Sequence, residues 1–255
     1  IAAKTGTAQQ VVNGKYSEAG YFNAPGNGNG QSVFASNNIG FMTDGAGHLY
    51  TFDLSTKSGS RPQLGNINLS GTGNRIYVSG NYVYVAQTGS TQFQIIQVSS
   101  DGRTLTAVGQ ASLDGLSGKD VFINSSATRA YVATSVSSTQ REVFIIDIST
   151  KTGARPVVGS YEASGMDPRG IRTVTNNKAI VVGTSGEEYQ VINISNEAAP
   201  TRCGGLHINS GINGLTTVIE VDGDAFSYII TGDASAEFKI IEGGPGGQFS
   251  TSGTF

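Results

Sequence analysis

A short apolar strand that usually closes on a polar residue recurs five times along this chain. It reads LYTFDLS from Leu49, FQIIQVS from Phe93, VFIIDIS from Val143, YQVINIS from Tyr189 and FKIIEGG from Phe238. Successive copies stand 44, 50, 46 and 49 residues apart. A fixed period of this size means one supersecondary unit repeated along the chain, each unit needing its neighbours to bury its faces.

A second element follows the first four copies and is built around a glycine. It reads PQLGNINLSG from Pro62, TAVGQASLDG from Thr106, PVVGSYEASG from Pro156 and PTRCGGLHINSG from Pro200, with Gly65, Gly109, Gly159 and Gly204 in register. After Phe238 no convincing copy follows, whereas EAGYFNAPG near the start carries Gly20 in the glycine position. Between the two elements each unit holds two further strands with period-2 alternation. These pairs are QSVFA with NIGFMTD, NRIYVSG with NYVYVAQ, KDVFINS with TRAYVAT, GIRTVTN with KAIVVGT, and LTTVIEVD with FSYIITGD. Their turns carry Asn37-Asn38, Gly80-Asn81, Ser125-Ser126, Asn176-Asn177 and Asp222-Gly223, residues suited to positive φ in tight hairpins. No stretch has the apolar spacing and cap of a helix.

Four strands per unit and five units predict an all-β fold, a five-bladed β-propeller of four-stranded antiparallel blades. The expected units are 27–71, 72–115, 116–165, 166–211 and 212–244, with residues 16–26 as an N-terminal strand. In this reading the N-terminal strand closes the last blade beside Phe238, so that 16–255 is one domain and 1–15 a lead-in. The competing reading makes residues 16–26 the tail of an earlier blade in a larger array.

The residues VSGNYVYVA (Val78 to Ala86), TRAYVA (Thr128 to Ala133), VFIIDIS (Val143 to Ser149) and PVVGSY from Pro156 resemble the LVIVD-repeat family. The resemblance spans roughly residues 20–244. It departs in the last unit, where Glu242-Gly243-Gly244 replaces Asp-x-Ser, and in the second, which lacks the proline. It implies a β-propeller of the kind found on secreted or surface-anchored microbial proteins, and no established reaction.

Composition bounds the function. The chain carries 16 Lys+Arg against 19 Asp+Glu, a net charge of −3, with only 14% charged residues and 36 glycines. Nucleic acid is excluded as an expected partner, because phosphate neutralisation needs a clustered positive surface. No apolar run is long enough to span a membrane. One cysteine, Cys203, leaves no disulfide framework and no Cys-based zinc site. His48 and His207 lie in different units without ligand spacing, so no metal and no cofactor are expected. Asp44-Gly-Ala-Gly and Asp222-Gly-Asp224 lack the acidic alternation of a calcium loop and read as turns. The start at Ile1, with neither Met nor leader, reads as a processed or excised piece. The expectation is a monomeric domain of a larger extracellular or cell-surface protein.

The richest polar surface is the loop face where each outer strand returns to the axis. Asn74, Arg75, Lys119, Asp120, Arg169, Arg172 and Asn213 would ring one mouth of the channel and suit a protein or a neutral glycan. Glu142, Glu188 and Glu237 precede the third strands in register, with His48 and Gln92 in the same place. Paired carboxylates of that kind are what glycoside chemistry requires, although a repeated solvated loop end gives the same pattern. The chain is therefore expected to be a non-catalytic binding or scaffold module. The alternative is a hydrolase or lyase for a polar, glycan-like substrate.

Overall fold

A computed structural model describes residues 18–25, 28–220, 224–243 and 249–254. The lead-in 1–15 and the hairpin tip Asp222-Gly223 lie outside them. Among the described residues there is no helix, and five antiparallel four-stranded sheets follow one another in chain order. Sheet one is Gly30–Ser36, Ile39–Asp44, His48–Asp53 and Gln63–Asn68. Sheet two is Gly73–Ser79, Tyr82–Gln87, Phe93–Val98 and Leu105–Ala111. Sheet three is Gly118–Ile123, Arg129–Thr134, Val143–Asp147 and Val157–Tyr161. Sheet four is Asp167–Val174, Lys178–Thr184, Tyr189–Asn193 and Thr201–Leu206. Sheet five is Ile212–Ile219, Ala225–Thr231, Phe238–Gly243 and Phe249–Thr254.

The first strands are innermost and pack in series, each against the first strand of the next sheet. The second strand of sheet two, one place out, is covered on both faces by the neighbouring sheets: its Val83, Tyr84, Val85 and Ala86 are all fully buried. Three of the hairpins turn as expected, with positive φ at Asn37 and Asn38, at Gly80, and at Asn176 and Asn177. In sheet three Ala127 takes the positive φ instead. There the Asn124 side chain organises a longer turn, its Oδ1 accepting the amides of Thr128 at 2.8 Å and Arg129 at 3.0 Å.

The Asp-x-Ser ends of the third strands are also legible as physics. Oδ1 of Asp53 accepts the Ser55 amide at 2.7 Å, Asp147 that of Ser149 at 2.8 Å, and Asn193 that of Ser195 at 2.9 Å. These side-chain turns aim the chain back toward its fourth strand. They also meet the preceding fourth strand. A Cβ on Gly65 would lie 2.6 Å from the Arg103 carbonyl oxygen, and Gly109 and Gly159 sit tighter still against the carbonyls of Lys151 and Glu197. Gly65, Gly109 and Gly159 are thus a row of seats for the turn of the following sheet.

The expected closure by the N-terminal strand does not occur. Phe238–Gly243 pairs with Phe249–Thr254, placing Gly253 opposite Ile240. The same pairing sets Gly109 opposite Ile95 and Gly159 opposite Ile145. The fifth fourth strand is thus present in the sequence but polar (FSTSGT), without the apolar alternation that reveals a strand. The N-terminal residues Gly20–Tyr21 instead run parallel to Gly59–Ser60 in the turn of sheet one. Phe22 stacks on Phe52 with ring centroids 4.6 Å apart. The unit expected at 212–244 accordingly extends to Thr254, and residues 18–25 belong beside sheet one, not sheet five.

Candidate functional site

Each innermost strand opens with the same irregularity. The ladder slips by one residue between Gly30 and Ser32, Gly73 and Arg75, Gly118 and Asp120, Pro168 and Gly170, and Ile212 and Gly214. The extra residue in each bulge is Gln31, Asn74, Lys119, Arg169 or Asn213. A bulge leaves that residue out of the ladder and re-aims its side chain. Four of the seven expected site residues are therefore equivalent positions of one repeated device, at one end of the inner strands.

The residues just past the bulges form a second layer, in which Asp120 is central. Its carboxylate is buried, and Oδ2 accepts both the Ile171 amide at 2.9 Å and Arg172 Nη1 at 2.7 Å. Arg75 Nε stands 3.3 Å from Oδ1, a charge contact that lacks hydrogen-bond geometry. One carboxylate from sheet three thus links sheets two and four. Asn74 works in the same sense, donating to the Gly118 carbonyl at 2.6 Å. Arg169 pairs with Asp167 at 2.7 Å, and Asp167 also accepts the Val136 amide at 3.3 Å. Lys119 is half-buried and Asn213 exposed, each on its own sheet. The structure brings Arg75, Asp120 and Arg172 into direct contact. It relates Asn74, Lys119, Arg169 and Asn213 by register.

Two residues further along the inner strands lies a layer that sequence reasoning did not single out. Phe34 and Tyr77 lie tilted with centroids 5.7 Å apart, Tyr77 and Phe122 meet edge to face at 5.4 Å, and the Arg172 guanidinium lies 5.6 Å over Phe122. A cation over an aromatic face is an attractive contact. The signal was available as an aromatic two positions after Ser32, Arg75 and Asp120, but it required the sheets to be aligned. A cavity of about 330 Å³ lies at this end of sheet one, lined by Gln31, Ser32, Val33, Met42 and Arg75.

The acidic series has a different role from either expected one. Gln92 Oε1 accepts the Leu113 amide at 2.7 Å, Glu142 Oε2 that of Ala163 at 3.0 Å, and Glu188 Oε2 that of Ile208 at 3.0 Å. Each side chain pins the exit of its own fourth strand. Gln92 and Glu142 are fully buried and Glu188 nearly so, which excludes a solvated loop end for these three. Burial pushes the Glu142 carboxyl above its ordinary value, against the lowering effect of the Ala163 and Ser137 amides. Glu237 is exposed and takes no part in the pattern. In sheet one, Asp44 rather than His48 carries the load: it accepts the amides of Ala46 and His48 and approaches His48 Nδ1 at 3.1 Å. Burial opposes ionisation of Asp44, but these bonds and the His48 ring hold its carboxyl below the usual range. Among the described residues no three His, Cys, Asp or Glu side chains cluster as a metal would need. No described helix is long and apolar enough to cross a membrane.

Residues 70–101 match the LVIVD repeat, a span that covers the inner hairpin of sheet two and its third strand. A Lactobacillus plantarum protein superposes with a TM-score of 0.69 at 13% identity, over 89% of this chain and 71% of its own. The β-propeller domain of Myceliophteria thermophila Cps50 (Swd1) gives 0.64 at 10%, over 89% and 73%. The Pseudomonas aeruginosa periplasmic gluconolactonase gives 0.65 at 12%, over 94% and 72%. At such identities the likeness shows the fold alone: the sheets are propeller blades. No curated protein matches the sequence as a relative.

Proposed function

We propose that this chain is a non-catalytic binding or scaffold module of a secreted or surface protein, meeting protein or glycan through the loop face that carries the bulge residues. The observation behind this reading is the fate of the groups that chemistry would need. Gln92, Glu142 and Glu188 are spent on backbone amides, and Asp120 on Ile171 and two arginines. A catalytic acid or base must instead reach a substrate proton. What the loop face offers is the bulge row: exposed Gln31 and Asn213 and half-buried Lys119, beside Asn74 and Arg169, which the Gly118 carbonyl and Asp167 hold in place. Such a row offers donors and acceptors at regular spacing, which suits recognition of an extended polar partner. The low charge and the wealth of hydroxyl and amide side chains suit an extracytoplasmic setting.

The test is a glycan and protein array probed with the chain and with a Lys119→Ala/Arg169→Ala variant. Binding by the parent, lost in the variant, supports the module. A second reading, a hydrolase or lyase for polar sugars, draws on Arg75, Lys119, Arg169 and Arg172 at one end of the blades. It also draws on the gluconolactonase among the structural neighbours. Turnover of an aldonolactone by the parent, abolished in Arg172→Ala, would replace the first reading by the second.

A further inference from the structure

Five blades provide four interblade cores among the described residues. One joins blades one and two through Phe41, Leu49, Ile76 and Val85. The others join two to three, three to four and four to five. Among the described residues no comparable packing connects the innermost strand of blade five with that of blade one.

The two faces left over are apolar. On blade one Val33 is 70% exposed, whereas Ile76, Val121 and Ile171, at the same register on the next three blades, are at most 3% exposed. On blade five Ile230 is 53% exposed, whereas its register equivalents Ala86, Ala133 and Val182 are fully buried. Tyr228 and Phe238 stack on that same face, 6.1 Å apart, and both are only half-buried. A monomeric protein seldom leaves an extended apolar face uncovered.

The N-terminal strand says what belongs on blade one. Gly109 in the fourth strand of blade two pairs in parallel with Gly153 in the turn of blade three. Gly20 pairs in the same way with Gly59 in the turn of blade one, and a Cβ on it would meet the Lys57 carbonyl at 2.6 Å. Residues 20–21 thus hold the place of a fourth strand in a blade preceding blade one. Phe22 already covers Phe52 and Tyr50 from that side. Since blade five has a fourth strand of its own, Gly20–Tyr21 is the sixth of its kind and not the closure of the fifth.

We infer that the exposed faces of blades one and five are blade interfaces, built to be covered by further blades of this same repeat in a ring larger than five. The blade seated on Val33 and Met42 is the one whose outermost strand is Gly20–Tyr21. Another blade of the ring is seated on the face that Ile230 presents. The polar row of bulge residues is then an arc of a wider mouth.

The test uses the 255-residue chain, lysine variants and an extended chain carrying a second copy of residues 116–198 after Phe255, which leaves the outermost strand of its last blade to Gly20–Tyr21. The parent should bind the apolar dye ANS. Val33→Lys and Ile230→Lys should each cut that fluorescence about twofold and leave Tm within about 2 °C. Ala133→Lys, at the register of Ile230 but between blades, should abolish cooperative unfolding. The extended chain should melt at least about 5 °C higher and lose ANS binding. An ANS-silent parent, or an Ile230→Lys variant as damaged as Ala133→Lys, means the free chain covers its own faces and overturns the inference. A discrete dimer that either lysine dissociates assigns the faces to a second copy and overturns it as well. If the extended chain fails to fold, the lysine variants alone still decide.

Discussion

Replacing Gly159 by alanine places a methyl group inside the turn of the next blade. The added Cβ would lie 2.7 Å from the carbonyl carbon of Glu197, closer still to its oxygen, and 3.1 Å from Ala198 Cα. These are backbone atoms, so no side chain can rotate away. Relief requires the blade-four turn to withdraw by about an ångström, and Glu197 is anchored by a 2.7 Å ion pair to Arg129. Overpacking of a rigid site costs about 1–3 kcal/mol, sometimes more, and the backbone clash places this one near ~3 kcal/mol. At ~2–4 °C per kcal/mol for a chain of this size, Tm falls by ~6–12 °C. The assay is a reversible thermal melt, paired with Gly153→Ala as the control. Gly153 has φ +74° and open space within 4 Å of the position a Cβ would take, so it carries conformational strain only, ~1 kcal/mol. If Gly159→Ala melts within about 2 °C of the parent, or no lower than Gly153→Ala, the glycine row is not a set of seats for the neighbouring turns.

Glu142→Gln keeps an acceptor for the Ala163 amide, as Gln92 does for Leu113, but turns its NH2 toward the Ser137 amide that Glu142 Oε1 accepts, so it should cost ~1 kcal/mol at pH 7. The Glu142 carboxyl is raised in the folded state, so its contribution is fully present below the unfolded pKa and is lost as pH rises through the folded one. Urea melts at pH 4 and pH 8 should therefore show a smaller loss on raising the pH in Glu142→Gln, and equal losses would contradict this. Asp120→Ala removes the acceptor of Ile171 and strands Arg172 and Arg75. Because both arginines are partly exposed, the expected cost is ~2 kcal/mol, below that of a fully buried pair; an unchanged urea midpoint would refute the linking role. Phe22→Ala should cost ~1–2 kcal/mol and speed hydrogen exchange at the Gly59 and Arg61 amides, which donate to Ala19 and Tyr21. Unaltered exchange there would mean Gly20–Tyr21 holds its place without the Phe22–Phe52 stack.

Strand order, hairpin turns and the outer glycines were readable because each has a local cause. Apolar alternation marks a strand, paired asparagines mark a tight turn, and a residue without Cβ marks a close approach. Phe249–Thr254 escaped because an outermost strand needs only a backbone ladder, and its serines and threonines carry no periodic signal. Glu142 and Glu188 were legible as a series but not as backbone acceptors, since their partners Ala163 and Ile208 lie about twenty residues away in the following strand. The position of Gly20 could be read from sequence, but its partner could not. A glycine-bearing strand fits equally beside Phe238 or beside the turn at Gly59, and packing alone distinguishes them.

By itself, the sequence determined the repeat, the four strands in each unit and the residues that face other sheets, because those follow from periodicity within a unit. Only the tertiary structure decided how units meet: that Asp120 reaches Ile171 and Arg172, that Gln31, Asn74, Lys119, Arg169 and Asn213 are bulge residues, and that blades one and five end in open apolar faces. Contacts between units depend on the relative register of whole sheets, and no spacing along one chain encodes that register.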